Sequence, residues 1–382
     1  MYSVEKTRGL NFIRQFDYPL FIAVLLLSFI GLVVLSSATK VMPSGYTSGS
    51  RMMLAQIVGL IIGVVCALVL SLFDYKNFKL LGFLIYTVGI ALLVAVLVIG
   101  EERYGSKSWF ILPGFGTFQP SELVKISTIL FISVFLERIK EETRNKRADI
   151  IKFLIYSMIP IGFVLLQPDM GTAMVFMFII FVMAFICGLP YKYIGGLVIA
   201  AIPAFLVTWF FILSDYQKGR FFAFLTPEKF QQGEAYNVLR SITAIGSGQL
   251  TGKGLYQGIQ TQNLGVPVKW SDFIFSVVGE ELGFLGCLAV VGLIAFILLR
   301  SIYIAKNSRD SYGSFVVVGI TGMMAFHFIE NIGMCIKLLP VTGIPLPFVS
   351  AGGSSMVTNY IAIGLVLSVS MRRKKTIFNS NE

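Results

Sequence analysis

The stretch VKWSDFIFSVVGEELGF, residues 268–284, sets three carboxylates into an apolar run: Asp272, Glu280 and Glu281. A carboxylate there can cap a helix, pair with a cation or take a proton from a hydroxyl. Asp272 follows Ser271 at the start of the run. Either residue could satisfy the free N–H groups of a helix start, so capping alone does not require both. The other reading makes Asp272 a base at headgroup level. If the run is one helix, Glu280 lies about 12 Å deeper than Asp272 and about 80° round from it, with Glu281 on the opposite side. Carboxylates at that depth must face protein or water. The expectation is a strut between helices for Glu281 and support of a cavity for Glu280.

Other residues have spacings that could do chemistry. Pro120 and Ser121 read as a helix start, and Glu122 and Lys125 share one face at i, i+3. They form either a surface ion pair or an oriented cation for an anionic substrate. Asp169, after Gln167 and Pro168, reads as an N-cap. His327 is the sole histidine, three residues before Glu330, and is expected to form a satisfied helical pair with it. The run Gly246–Gly254 imitates a phosphate loop, but its first glycine is misplaced and no Ser or Thr follows Lys253.

The elements that must position these groups belong to a membrane. The chain is 56% hydrophobic and 13% charged, more apolar surface than a soluble fold can hide. Apolar runs near 18–36, 53–73, 78–99, 121–137, 149–166, 170–187, 193–213, 273–299, 312–337 and 356–371 each approach the ~20 residues a helix needs to cross. That predicts an all-α polytopic protein of about ten spans. Lys and Arg concentrate in alternate loops, among them Lys76, Lys79, Arg138, Arg300 and the tail Arg372–Lys375, which places both termini in the cytoplasm. The net charge of +11 is therefore a topology signal and does not call for nucleic acid. The opposite side carries two long segments, 100–120 and 214–272; the second is basic and aromatic, which suits an anionic ligand. Cys66, Cys187, Cys287 and Cys335 stand apart, without metal-ligand spacing. No cleavable leader is visible.

At this point the chain closely resembles the SEDS family (shape, elongation, division and sporulation), the membrane peptidoglycan glycosyltransferases that include RodA and FtsW. The resemblance runs from about Asp17 to the basic tail. It rests on Ser108-Trp109, Gln119-Pro120-Ser121-Glu122 with Lys125, Gln167-Pro168-Asp169, and Tyr216-Gln217 with Arg220. It continues through Asp272-Phe273-Ile274-Phe275 with Gly279-Glu280-Glu281, Asn331-Ile332-Gly333-Met334, and Leu339–Phe348 followed by Gly352-Gly353. The wording of 252–254 and 340–345 is more like the elongation branch. Val268 stands where the family usually has glutamate, Ser271 where it has threonine, and Ala351 where it has an aromatic residue.

The resemblance implies a SEDS-type fold, a single membrane domain that polymerises lipid II on the outer face of the cytoplasmic membrane. An acceptor 4-hydroxyl would attack the anomeric carbon of the lipid-linked chain, and undecaprenyl pyrophosphate would leave. Asp272 matches the family's catalytic aspartate and would supply the base. Lys125, oriented by Glu122, together with Arg220 and Lys107, would supply positive charge at the pyrophosphate. A divalent cation, Mg or Mn, could share that task. The family also implies a class B penicillin-binding protein as transpeptidase partner, within an elongation or division complex. Rival readings are a lipid II flippase, a scaffold for that partner, and a specialised paralogue, which the substitution at Val268 would suit.

Overall fold

The structure, a computed structural model, describes residues 15–43, 48–103, 105–112, 116–142, 145–213, 215–225, 234–263 and 265–373. Lys374 and Lys375 of the basic tail lie outside the described residues. In chain order the helices are α1 (Tyr18–Ala38), α2 (Gly49–Leu72), α3 (Tyr75–Ile99), α4 (Pro120–Lys140), α5 (Lys146–Leu166), α6 (Met170–Cys187) and α7 (Tyr191–Val207). They continue with α8 (Asp215–Leu225), α9 (Glu234–Ser247), α10 (Ile259–Gln262), α11 (Ile274–Lys306), α12 (Ser311–Cys335) and α13 (Gly353–Ser370). Eight of them, α1–α3, α5, α6 and α11–α13, are long and apolar enough to cross a membrane.

The two remaining expected spans differ for separate reasons. Helix α4 carries Glu122, Lys125, Glu137, Arg138 and Lys140, and it tolerates them because it is enclosed by α3, α5, α6 and α12. Glu122, Lys125 and Glu137 are buried against protein, while Arg138 and Lys140 lie in the last turn, where Lys140 is exposed. Helix α7 has only 17 residues but runs on through a π-helical turn, Thr208–Ile212. The all-α expectation also misses a small antiparallel sheet after α3: β1 (Glu101–Arg103), β2 (Ser106–Leu112) and β3 (Gly116–Phe118), in that order.

Burial separates inner from outer helices. In α12 and α13, 72% of the most apolar window is buried in the protein, against 22% in α2 and α11. The outer helices turn Leu54, Ile61, Phe284 and Leu288 outward, where lipid is the natural solvent. At the bundle end away from the sheet, fully buried Asp17 caps α1 and takes Arg300 Nε at 3.0 Å and Arg373 Nη1 at 3.4 Å. That pins the two ends of the bundle's chain to α11.

Helix α11 is broken. Gly283 has φ 68° and ψ −163°, so the segment Ile274–Leu282 ends there and a second helix begins. Such a break orphans carbonyls on one side and N–H groups on the other, which is costly near a membrane. The chain after α9 fills the gap. Phe284 N and Leu285 N donate to Gln249 O and Leu250 O at 2.8 and 3.1 Å, while Lys253 N and Gly254 N donate to Glu280 O and Glu281 O at 3.0 and 3.1 Å. A Cβ on Gly283 would run into the backbone of Gly252, whose own φ is 81°. The phosphate-loop lookalike is therefore a plug in a helix.

Candidate active site

Asp272 sits in the turn that leads into α11. The N-cap position belongs to Phe273 and has no side-chain cap bond. The capping reading of Asp272 therefore gives way, because the helix starts one residue later than the sequence suggests. The turn is held from three sides. Asn331 Nδ2 of α12 donates to Asp272 O at 2.9 Å, Ser350 Oγ donates to Ser271 O at 2.6 Å, and Ala351 N donates to Trp270 O at 2.8 Å. The Asp272 side chain accepts from Ser271 Oγ at 2.8 Å. These bonds fix a half-buried carboxylate on a rigid base, which is the arrangement a general base requires.

Arg220 and Gly343 converge on that carboxylate. A Cβ placed on Gly343 would lie 3.5 Å from Asp272 Oδ2 and 3.7 Å from Arg220 Nη1. Gly343 has φ 76°, so glycine serves both the backbone turn and the close approach. Arg220 projects from α8, and Gln217 of the same helix donates to Pro168 O at 2.7 Å, tying α8 to the turn before α6. Asn331 donates a second bond to Ile344 O at 2.9 Å and so joins the Gly343 loop to the Asp272 turn. Sequence reasoning recognised Asn331 and Gly343 as motif residues but gave them no role; Asn331 bonds to backbone atoms of other segments, and Gly343 acts by close approach.

A second polar group lies inside the bundle. Lys125 is 1% exposed, and its Nζ is 2.8 Å from Glu122 Oε1 and 2.9 Å from His327 Nε2. An ammonium can only donate, so His327 Nε2 accepts and the ring is the neutral tautomer with its proton on Nδ1. The expected His327–Glu330 pair does not form: His327 turns to α4, and Glu330 accepts from Thr342 Oγ1 at 2.8 Å. Nearby, Asp169 caps α6 through Thr172 N at 3.0 Å and also accepts from Gln119 Nε2 at 2.8 Å.

Two expected substrate residues are placed elsewhere. Glu280 is fully buried, and its oxygens accept from Lys253 Nζ at 2.9 Å, Gln260 N at 2.9 Å and Thr261 N at 2.8 Å. It faces the plug and not a cavity, because the break at Gly283 brings the chain 249–262 to it. Glu281 is a strut of the same kind, accepting from Ser37 Oγ at 2.7 Å and Tyr256 N at 3.0 Å. Lys269, buried beside this pair, donates to Thr261 O; burial pushes its ammonium down to about 8, against the pull of Glu281 and Glu280. Lys107 lies on β2 and donates to Val98 O at 3.0 Å, spending its charge on the end of α3. For a divalent cation, no three His, Cys, Asp or Glu side chains among the described residues are grouped to hold one.

The chain matches the cell cycle protein family FTSW_RODA_SPOVE over residues 18–375. It is 32% identical over 432 residues to the peptidoglycan glycosyltransferase RodA of Treponema pallidum, covering 94% of this chain and 99% of that one. To the peptidoglycan glycosyltransferase MrdB of Escherichia coli K12 it is 33% identical over 350 residues, covering 92% and 93%. Among solved structures it is similar to a chain from work on the structural coordination of polymerization and crosslinking by a peptidoglycan synthase complex. That match has a TM-score of 0.77 at 29% identity and covers 94% of this chain and 99% of that one. The crystal structure of the rod shape determining protein RodA of Thermus thermophilus matches with a TM-score of 0.69 at 28% identity, covering 94% and 98%.

Proposed function

Because this chain belongs to the FTSW_RODA_SPOVE family and is a multi-pass membrane peptidoglycan glycosyltransferase, we propose that it polymerises lipid II with Asp272 as general base. The observation that carries this reading is the placement of the carboxylate: it lies outside the helix cap, on a turn anchored from α12 and the 350 loop, against Arg220 and Gly343. In the proposed step, Asp272 takes the proton of the acceptor sugar's 4-hydroxyl as that oxygen bonds to the donor's anomeric carbon. The bond from that carbon to the pyrophosphate oxygen breaks, and undecaprenyl pyrophosphate leaves with the electron pair. Arg220, beside the base, meets the negative charge that develops, and Lys125 adds its field from within the bundle, held by Glu122. Lys107 and Glu280 take no part in the proposed step.

Asp272→Asn keeps size and removes the proton-accepting charge. It should fold normally and lose about 10²–10⁴-fold in glycan-strand formation from labelled lipid II, the usual share of a general base. Polymerisation at the wild-type rate would take Asp272 out of the chemistry; a flippase, which breaks no bond, would keep transporting.

The proposal extends to setting. The chain is one membrane domain in the bacterial cytoplasmic membrane, with both termini inside and segment 214–272 outside. The cluster of Lys76, Lys79, Arg300 and Arg372 at one end of the bundle supports that orientation. Cysteines at Ser247 and Lys374 should react oppositely with an impermeant maleimide, and labelling of Lys374→Cys in intact cells would reverse it. A class B penicillin-binding protein is the proposed transpeptidase partner, in an elongation complex. Its support is the likeness to a chain from the study of coordinated polymerization and crosslinking.

A further inference from the structure

Glu330 is a buried carboxylate for which the proposed reaction has no use. It is 4% exposed, on α12, one residue before the Asn331 that holds the Asp272 carbonyl and three after the His327 that meets Lys125. Its Oε1 accepts from Thr342 Oγ1, and Oε2, which makes no hydrogen bond to the described residues, is not sealed from solvent. Thr342 precedes Gly343, the residue against Asp272 and Arg220. On its other side the Thr342 carbonyl lies close over Gly171 at the start of α6, where an added Cβ would be 3.1 Å away. Glu330 and Thr342 thus stand between the Lys125 group and the Asp272 turn, reached from one by a helical turn and from the other by a single residue.

A carboxylate taken out of water is costly unless its lone pairs are bonded. One hydroxyl answers one oxygen of Glu330, and the second is open to a donor that enters from solvent. Sugar hydroxyls and N-acetyl amides are donors of the required kind, and a threonine hydroxyl beside the carboxylate can turn to serve as acceptor or donor. We propose that Glu330 and Thr342 form a sugar-binding subsite of this glycosyltransferase, in which Glu330 Oε2 accepts a hydrogen bond from a hydroxyl or N-acetyl N–H of the substrate carbohydrate. This rests on the assignment of the site at Asp272. Glu330 here binds and orients the sugar; it takes no proton from it.

The test uses the full chain with lipid II. Glu330→Gln keeps shape and leaves an oxygen for Thr342, but removes the charge that strengthens the sugar contact. Loss of a hydrogen bond to a charged group corresponds to about a 10–100-fold effect. The expected result is a KM for lipid II raised by that factor, kcat within about threefold of wild type, and an unchanged melting temperature. In the Asp272→Asn background, which holds substrate without turning it over, Glu330→Gln should weaken lipid II binding by the same factor. Thr342→Val, which leaves the carboxylate in place, should raise KM less. A Glu330→Gln protein with wild-type KM and wild-type binding overturns the subsite. So does a variant whose losses are confined to melting temperature and are matched by Thr342→Val, since that marks a loop pin. Failure of the Asp272 assignment reads differently: Asp272→Asn would then polymerise normally, whatever Glu330→Gln does.

Discussion

Replacing Glu280 with leucine should release the plug from α11. Glu280 is fully buried and answers two backbone N–H groups, Gln260 at 2.9 Å and Thr261 at 2.8 Å, and the Lys253 ammonium at 2.9 Å. Lys253 is 24% exposed and can turn to water, so its loss costs little. The two amides have no such escape. Each donor left unsatisfied costs about 1–3 kcal/mol, so the pair sums to about 4 kcal/mol at mid-range. Tenfold per ~1.4 kcal/mol turns that into about 10³-fold faster exchange at amides that open locally. Hydrogen exchange in detergent should show that loss of protection at Gln260 and Thr261 and their neighbours, with α12 and α13 unchanged. Glu280→Gln, which keeps one acceptor oxygen, should lose less. Wild-type protection at both amides in Glu280→Leu would refute the argument that this carboxylate holds the plug.

Lys125→Met should lower the melting temperature as well as the polymerisation rate, because it strands buried Glu122; breaking a buried pair typically costs about 3–5 kcal/mol. A Glu122→Gln/Lys125→Met double variant should recover most of the stability and none of the rate. Gly343→Ala forces a left-handed alanine, worth about 1–2 kcal/mol, against Asp272 and Arg220; activity should fall more than tenfold with a small melting shift, and unaltered kinetics would free Gly343 from the site. For Lys269, the folded value of about 8 lies below the ordinary 10.5, so the unfolded chain binds more protons between them. Stability should then rise with pH across that window, and Lys269→Met should remove this gain in melting curves taken from pH 7 to 10.

The membrane class and most helix positions were legible because apolar runs of bilayer length are a strong, local signal. Asp272 was legible as a choice between cap and base, and setting the cap aside needed the helix start, a matter of one residue. Glu280 was misread because the sequence looks like one long helix. The break lies at Gly283, and its reason, chain 249–254 pairing with both sides of the gap, is thirty residues upstream. His327 was assigned to its neighbour at i+3, whereas α4 offered an ammonium from about two hundred residues away. The sheet between α3 and α4 escaped notice for the opposite reason: its strands are short, and glycine-rich aromatic loops look alike from composition.

The broken helix also orders events during synthesis. The plug residues 249–254 leave the ribosome before the segment they complete, and four of their backbone bonds await residues 280–285. Part of α11 beyond Gly283, Phe284–Lys306, is long enough to cross the bilayer alone, so its insertion need not carry Glu280 or Glu281 into hydrocarbon. The nascent chain therefore holds segment 248–262 unfinished until α11 is delivered. The turn bearing Asp272, between plug and helix, also awaits Asn331, Ser350 and Ala351, so the proposed base is among the last parts of that region to be set.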